Sequence, residues 1–289
     1  MSAHAATPTT RTAVTVPAIA RRKGDEPVVM VTAYDAPTAR AADAAGVDIL
    51  LVGDSLAMVV LGHDTTLRVT MDEMLHHTAA VTRVRPRALV VGDMPYMSYH
   101  VSREQAVTNA GRFIQEGGAD AVKLEGGASR VELIAALGDA EIPVMGHVGL
   151  TPQSYHRMGG FRVQAKSPVD AKRLVADAEA LAEAGVFALV LEGIPREVAK
   201  LVTAAVDVPT IGIGAGPDCD GQVLVIHDIL GLAGERSPRF VRRYAALGEA
   251  MTDAVQRFAA DVRSGAFPAD GESYHLSPAG AQELTGTAG

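Results

Sequence analysis

At 289 residues, with 26 basic against 34 acidic side chains and a formal net charge of -8, the chain is too acidic to favour nucleic acid as a partner. Aromatic residues make up 4% and Trp is absent, which favours aliphatic packing over a base-stacking surface, and no apolar run reaches the ~18–20 residues of a membrane span. A single cysteine, Cys219, excludes an internal disulfide and any Cys-rich metal cluster, and suits a reducing, cytoplasmic location.

In chain order, residues 1–27 read as a leader joined to a short helix. The first 23 residues carry Arg11, Arg21, Arg22 and Lys23 but no acid, a composition near that of a transit peptide. From residue 28, short apolar runs alternate with longer helical patterns. The runs are "VVMVTAYD" (28–35), "ILLVGDS" (49–55), "ALVVGDMP" (88–95), "AVKLEGG" (121–127), "PVMGHVGL" (143–150), "ALVLEGIP" (188–195), "PTIGIGAG" (209–216) and "VLVIHDIL" (223–230). Continuous rather than alternating apolarity is what a parallel strand buried on both faces requires. Helical patterns fill 36–46, 70–84, 102–118, 129–138, 168–185 and 195–206, with Thr70 and Ser102 placed as caps. Gly residues in "AAGV", "EGGAD" and "EAGV" stand where helices end.

Eight strands with helices between them predict one α/β domain, a (β/α)8 TIM barrel over 28–264, closed by an amphipathic segment at 238–264 packed outside it. Residues 265–289 read as a loosely held tail. The eighth strand is the weak element. Only "PDCDGQ" separates it from the seventh, shorter than a parallel crossover needs, so either 220–230 is partly helical or the closure is irregular.

Beyond the first run, which ends on Asp35, four runs place a carboxylate at their ends: Asp54, Asp93, Glu125 and Glu192. In a parallel barrel the strand C-termini share one rim, where active sites are built, so these acids are expected to converge. Singly, an acid after a strand also serves as a helix cap. Four together repel unless a cation sits among them or some are protonated. Oxygen donors without cysteine suit Mg2+ or Mn2+, which leaves at least one acid free to move protons. Lys123 lies two residues before Glu125 and so on the same strand face, suited to a substrate carboxylate or to a buried ion pair. His147, also at a strand end, reads equally as a substrate hydrogen-bond partner or a core histidine. Ser55 could donate to an anionic oxygen, although an N-cap is its default role. His76 and His77 lack zinc-site spacing. "GIGAG" (212–216) is not the dinucleotide fingerprint, because Pro217 occupies the third glycine position, and reads as a close backbone turn.

Taken together, "TAYDAPTARAADAAG", "LVGDSLAMVVLGHDTTLRVTMDEMLHHTAAV", "VKLEGG", "GHVGLTPQS", "GGFRVQ", "LVLEGIP", "IGIGAG" and "DGQVLVIHD" resemble the ketopantoate hydroxymethyltransferase family from about residue 28 to 268. The resemblance implies a barrel of the phosphoenolpyruvate mutase/isocitrate lyase superfamily, assembled as a homodecamer. It implies transfer of a hydroxymethyl group from 5,10-methylenetetrahydrofolate to 3-methyl-2-oxobutanoate, giving 2-dehydropantoate for pantothenate synthesis. It also implies a metal, Mg2+ with Mn2+ or Co2+ as substitutes, on Asp54 and Asp93 with Glu125 beside them. Substrate contacts would fall on Asp54, Ser55, Asp93, Lys123 and His147, and the catalytic proton acceptor on Glu192. Met145 departs from the cysteine that many relatives carry there, a change expected to alter packing only. The alternative on the same scaffold is a folate-independent carbon–carbon lyase or mutase acting on a 2-oxo acid, but such enzymes commonly keep a catalytic cysteine that this chain lacks. A barrel that binds a metal and an oxo acid without turnover is the non-enzymatic alternative.

Overall fold

The structure is a computed structural model, which describes residues 12–234 and 238–286. Most of the expected leader falls on residues 1–11, outside the described residues. Eight parallel strands form a closed barrel in sequential order: β1 (Val28–Thr32), β2 (Ile49–Val52), β3 (Leu89–Asp93), β4 (Ala121–Glu125), β5 (Val144–Gly149), β6 (Ala188–Glu192), β7 (Thr210–Ile213) and β8 (Gly221–Leu224). The helices in chain order are α1 (Val16–Ala20), α2 (Ala36–Ala45), α3 (Leu56–Val59), α4 (Met71–Thr82), α5 (Arg103–Gln115) and α6 (Val131–Asp139). They continue with α7 (Tyr155–Met158), α8 (Pro168–Glu183), α9 (Arg196–Ala205), α10 (Ile226–Leu230), α11 (Leu247–Ser264) and α12 (Pro278–Thr285).

Local chemistry sets these boundaries. Thr70 and Glu73 form a capping box at the start of α4, and Ser102 accepts the Gln105 N–H at the start of α5. Asp35, at the end of the first apolar run, caps α2 by accepting from Thr38 N–H at 2.8 Å. Gly46 ends that helix in the left-handed region.

The period of two along each strand divides the barrel into two apolar layers. Leu50, Val52, Val90, Val122, Leu124, Leu189 and Leu191 face outward and are buried under the helices. Met30, Ile49, Leu51, Leu89, Val91, Ala121, Met145, Ala188, Val190, Ile211 and Val223 fill the interior. Ile19 of α1 joins the interior set and is 1% exposed, so the short first helix plugs the N-terminal mouth of the barrel. Met145 sits in the packed interior, opposite Lys123 in the β4–β5 ladder.

The closure resolves both doubts about the eighth strand. Residues 226–230 are helical, and β8 is the short stretch before them, paired with β7 on one side and β1 on the other. Residues 214–220 make the β7–β8 crossover without a helix. The strands concerned are four residues each, about 13 Å, a span that an extended loop of this length covers. Gly214 and Gly216, with φ of +60° and +82°, make the turn read from "GIGAG".

The amphipathic segment departs from expectation. Its helix begins at Leu247 rather than 238, and no residue of α11 is buried. Its apolar side chains, Met251, Val255, Phe258 and Val262, are exposed rather than packed on the barrel. The tail beyond it carries α12.

Candidate active site

The same alternation that builds the core delivers the site. Below the rim the inward positions of β3 to β6 are Val91, Ala121, Met145 and Val190; one step further they become Asp93, Lys123, His147 and Glu192. Ladder pairing then sets neighbours: Asp93 beside Lys123, Glu125 beside His147, and Gly149 beside Glu192. Asp54 joins from the turn after β2, where its N–H donates to Asp93 Oδ2 at 3.1 Å.

Asp54, Asp93, Lys123, Glu125 and His147 are all buried, at 1–4% exposure. Lys123 Nζ donates to Asp93 Oδ1 at 2.6 Å and lies 4.0 Å from Glu125 Oε1. His147 stands between two carboxylates, with Nδ1 3.5 Å from Glu125 Oε1 and Nε2 3.3 Å from Glu192 Oε2. Those are ion-pair distances without hydrogen-bond alignment, and Glu125 Oε1 and both ring nitrogens have no hydrogen-bond partner among the described residues. Glu192 is the more open acid, with 17% of its side chain exposed. Its strand approaches β5 closely: a Cβ on Gly149, whose φ is +98°, would overlap the Glu192 carbonyl oxygen.

The charges are unequally satisfied. Burial, then the neighbouring charges of Asp93 and Glu125, hold the Asp54 carboxyl well above its ordinary range. Asp93 is also raised, chiefly by burial, against the pull of Lys123. Burial disfavours charge on Lys123, but Asp93, Glu125 and Asp54 outweigh it and raise the ammonium's pKa. Burial likewise opposes Glu125, which is nonetheless lowered by His147 and Lys123. For His147, burial and Lys123 favour the neutral ring; Glu125 and Glu192 outweigh them and raise it to about 9.

Among the described residues no three His, Cys, Asp or Glu side chains form a finished cage. The buried Asp93 carboxylate accepts from the Asp54 N–H and pairs with Lys123, and the buried Asp54 carboxyl lies in the turn after β2. Glu125 offers an oxygen, Oε1, that has no hydrogen-bond partner among the described residues. That composition fits Mg2+, which takes one or two carboxylates and completes its shell with waters and substrate oxygens.

Three partners escaped the sequence reading. Gln153, in the turn after β5, donates Nε2 to Asp54 Oδ2 (3.0 Å) and to the Met94 carbonyl (2.9 Å), while its N–H reaches Glu125 Oε2 (3.0 Å). Tyr99 donates its hydroxyl to Gln153 Oε1 at 2.6 Å. Tyr34 holds the Ser55 hydroxyl at 2.9 Å, so Ser55 makes no side-chain cap. Only the repeated placing of polar residues after strand ends hinted at them. His76 and His77 lie outside the cluster, His77 bonding the Tyr34 carbonyl through Nδ1 at 2.6 Å.

A closed parallel barrel with a buried ionic cluster at its C-terminal rim defines an α/β-barrel enzyme, and its solved relatives in fold share that architecture. A 2,3-dimethylmalate lyase of the phosphoenolpyruvate mutase/isocitrate lyase superfamily covers 96% of this chain and all of its own, with a TM-score of 0.58 and 18% identity. The phosphoenolpyruvate phosphomutase of Streptomyces platensis covers 94% and 96%, with a TM-score of 0.59 and 15% identity. At those identities the likeness is one of fold alone. The ketopantoate hydroxymethyltransferase family model matches residues 13–270, and the chain belongs to that family. The 3-methyl-2-oxobutanoate hydroxymethyltransferase of Koribacter versatilis is 60% identical over 256 residues, covering 89% of this chain and 87% of the relative. That of Pelobacter propionicus is 58% identical over 266 residues, covering 92% and 98%. The chain is thus an enzyme that transfers a hydroxymethyl group to 3-methyl-2-oxobutanoate, in pantothenate biosynthesis. The lyase alternative and the non-enzymatic one fall away. No described helix is long and apolar enough to cross a membrane.

Proposed function

We propose that the rim carries out the transfer by removing the C3 proton of 3-methyl-2-oxobutanoate, with 5,10-methylenetetrahydrofolate as one-carbon donor. The observation that carries this reading is the pairing of a buried Asp54–Asp93–Lys123 cluster with a more open carboxylate, Glu192, beside His147. Asp54 and Asp93 would hold a divalent ion, Mg2+ or in its place Mn2+ or Co2+, with Glu125 beside them. When bound, the ion supplies Lewis-acid polarisation of the keto group. A fold neighbour, phosphonopyruvate hydrolase, is known in complex with oxalate and Mg2+.

The chain's own groups do the rest. Lys123 places a fixed positive charge in a dry site, where it counters a substrate carboxylate far better than it would in water. Ser55, steadied by Tyr34, and His147 offer donors to the substrate's oxygens. Glu192 takes the C3 proton. Water gives its oxygen to the folate's methylene carbon and its two hydrogens to the two folate nitrogens, whose bonds to that carbon break so that tetrahydrofolate leaves. The C3 electron pair bonds to the freed one-carbon unit, whose oxygen receives the C3 proton to become the new hydroxyl. His147, between Glu125 and Glu192, offsets the charge on both. The catalytic unit proposed is the single barrel of residues 28–264, after a leader and before a tail, working in the cytoplasm. A homo-oligomer, a decamer in the family's manner, is supported by the uncovered apolar stripe of α11.

The test is exchange of the substrate's C3 proton with deuterated water, followed by NMR, with and without Mg2+. Wild type exchanges in an Mg2+-dependent way. Glu192→Gln binds the 2-oxo acid but exchanges at least ~100-fold more slowly. Exchange at the wild-type rate in that variant would remove Glu192 from the role.

A further inference from the structure

We infer that the cavity opening outward from Glu125 and Gln153 seats the folate, with Arg157, Lys166 and Arg173 at its mouth receiving the carboxylates of the glutamate tail; this rests on the folate-dependent reading above. The cavity is about 830 Å3, within the range of roughly 300–1,000 Å3 that holds ligands of this size. Its inner wall includes Glu125, Gln153 and Gly149, and Gly149 is the ladder partner of Glu192. A molecule seated there lies beside the proposed base. Asp54, Ser55, Asp93 and Lys123 do not line it, so the two substrates have separate spaces that meet at Glu125.

The walls are graded in a way that matches a folate's own polarity. Met158, Val163 and Leu174 supply apolar surface along the cavity for the ring portions. Arg130 lines it too but is committed: its Nε donates to the Glu125 carbonyl at 3.2 Å and its guanidinium lies 5.0 Å from the centre of the Tyr99 ring. Arg157, Lys166 and Arg173 are exposed and make no ion pair among the described residues. Two aspartates that line the same cavity each already accept a hydrogen bond. Asp177 accepts the Ala128 N–H at 2.8 Å, and Asp170 accepts from the Ser167 hydroxyl at 2.6 Å. Four cations, Arg130, Arg157, Lys166 and Arg173, line the cavity against three acids, Glu125, Asp170 and Asp177, and in a chain of net charge -8 that local excess of positive charge favours a dianionic tail.

The experiment compares tetrahydrofolate with tetrahydropteroate, the same molecule without its glutamate, by calorimetry at saturating 2-oxo acid. Wild type should prefer tetrahydrofolate by about tenfold, the scale of a few exposed ion pairs acting together. The Lys166→Gln/Arg173→Gln protein should lose most of that preference while binding tetrahydropteroate as wild type does. Val163→Trp, which fills the cavity at an exposed position, should weaken both ligands together. Preference that survives the double substitution, equal binding of the two ligands by wild type, or indifference of both to Val163→Trp would each overturn the assignment. These are binding measurements, so they stand or fall apart from proton exchange by Glu192.

Discussion

At the scale of single residues the site is built against its own stability. Asp54 is buried beside two other carboxylates with one lysine to share, and burial and repulsion raise its pKa. An Asp whose folded pKa lies above its unfolded value costs stability once the pH is high enough to ionise it. That cost vanishes below the ordinary value near 3.8, where the carboxyl is neutral in both states. Asp54→Asn removes the charge and keeps an oxygen for Gln153. In chelated protein at pH 7 it should therefore raise Tm, by about 2–4 °C per kcal/mol relieved, and abolish turnover. The Tm gain should shrink as the pH is lowered toward 4. A variant that melts below wild type at pH 7 would mean that Asp54 is stabilised where it lies.

At the scale of elements, the short turn after β5 matters as much as the strands. Strand alternation aims Asp93, Glu125 and Glu192 inward, but nothing in a strand holds Asp54, which follows β2 in a turn. The link is Gln153, which joins Asp54, the Met94 carbonyl and Glu125, and is itself held by Tyr99. It ties the loops after β2, β3 and β5 to the end of β4. Gln153→Ala should lower kcat/KM by about 10–100-fold, the usual effect of removing a partner that orients first-contact groups. Mg2+ dependence should weaken with it, measured as the metal concentration for half-maximal exchange. Gln153→Glu, adding a carboxylate to a crowded site, should be worse than Ala; equal activity in all three proteins would reduce Gln153 to filler.

At the scale of the molecule, the barrel closes at its weakest place through one carboxylate. Asp220, at the end of the helix-free crossover, accepts from the Thr210 N–H (2.8 Å) and hydroxyl (3.0 Å), the Gly24 N–H (3.0 Å) and Lys23 Nζ (3.0 Å). It thereby pins the segment after α1 to the start of β7. Burial works to raise its pKa, but the donors from Thr210, Gly24 and Lys23 outweigh it and lower the value. A lowered Asp contributes stability above its unfolded pKa and loses it as the pH falls through the folded one. Asp220→Ala should cost about 2–3 kcal/mol at neutral pH by urea unfolding. The gap from wild type should close as the pH drops below the ordinary aspartate value of 3.8. A pH-independent gap would assign the loss to packing instead.

Much of this was legible from residue order. Buried parallel strands announce themselves as continuous apolar runs, and a closed barrel gathers strand ends at one rim whatever the separation in sequence, so the chain order alone places Asp93, Lys123, Glu125, His147 and Glu192 together. Helix caps at Thr70 and Ser102 and stops such as Gly46 are local backbone chemistry, and they too were readable. Family motifs carried the activity. Other features had to wait for the tertiary structure. Ser55 is local to Asp54 yet turns to Tyr34, because a hydroxyl's partner is chosen by whatever folds over it. Gln153 and Tyr99 look like loop residues until three loops and the end of β4 are brought within hydrogen-bond reach. The closure between β7 and β8 depends on how short those strands are in space, and α11 is amphipathic without a face of the barrel to lie on. Periodicity and capping act over a few residues and are written in order along the chain; loop-to-loop hydrogen bonds and unpartnered surfaces are set by three-dimensional distance, which no local pattern encodes.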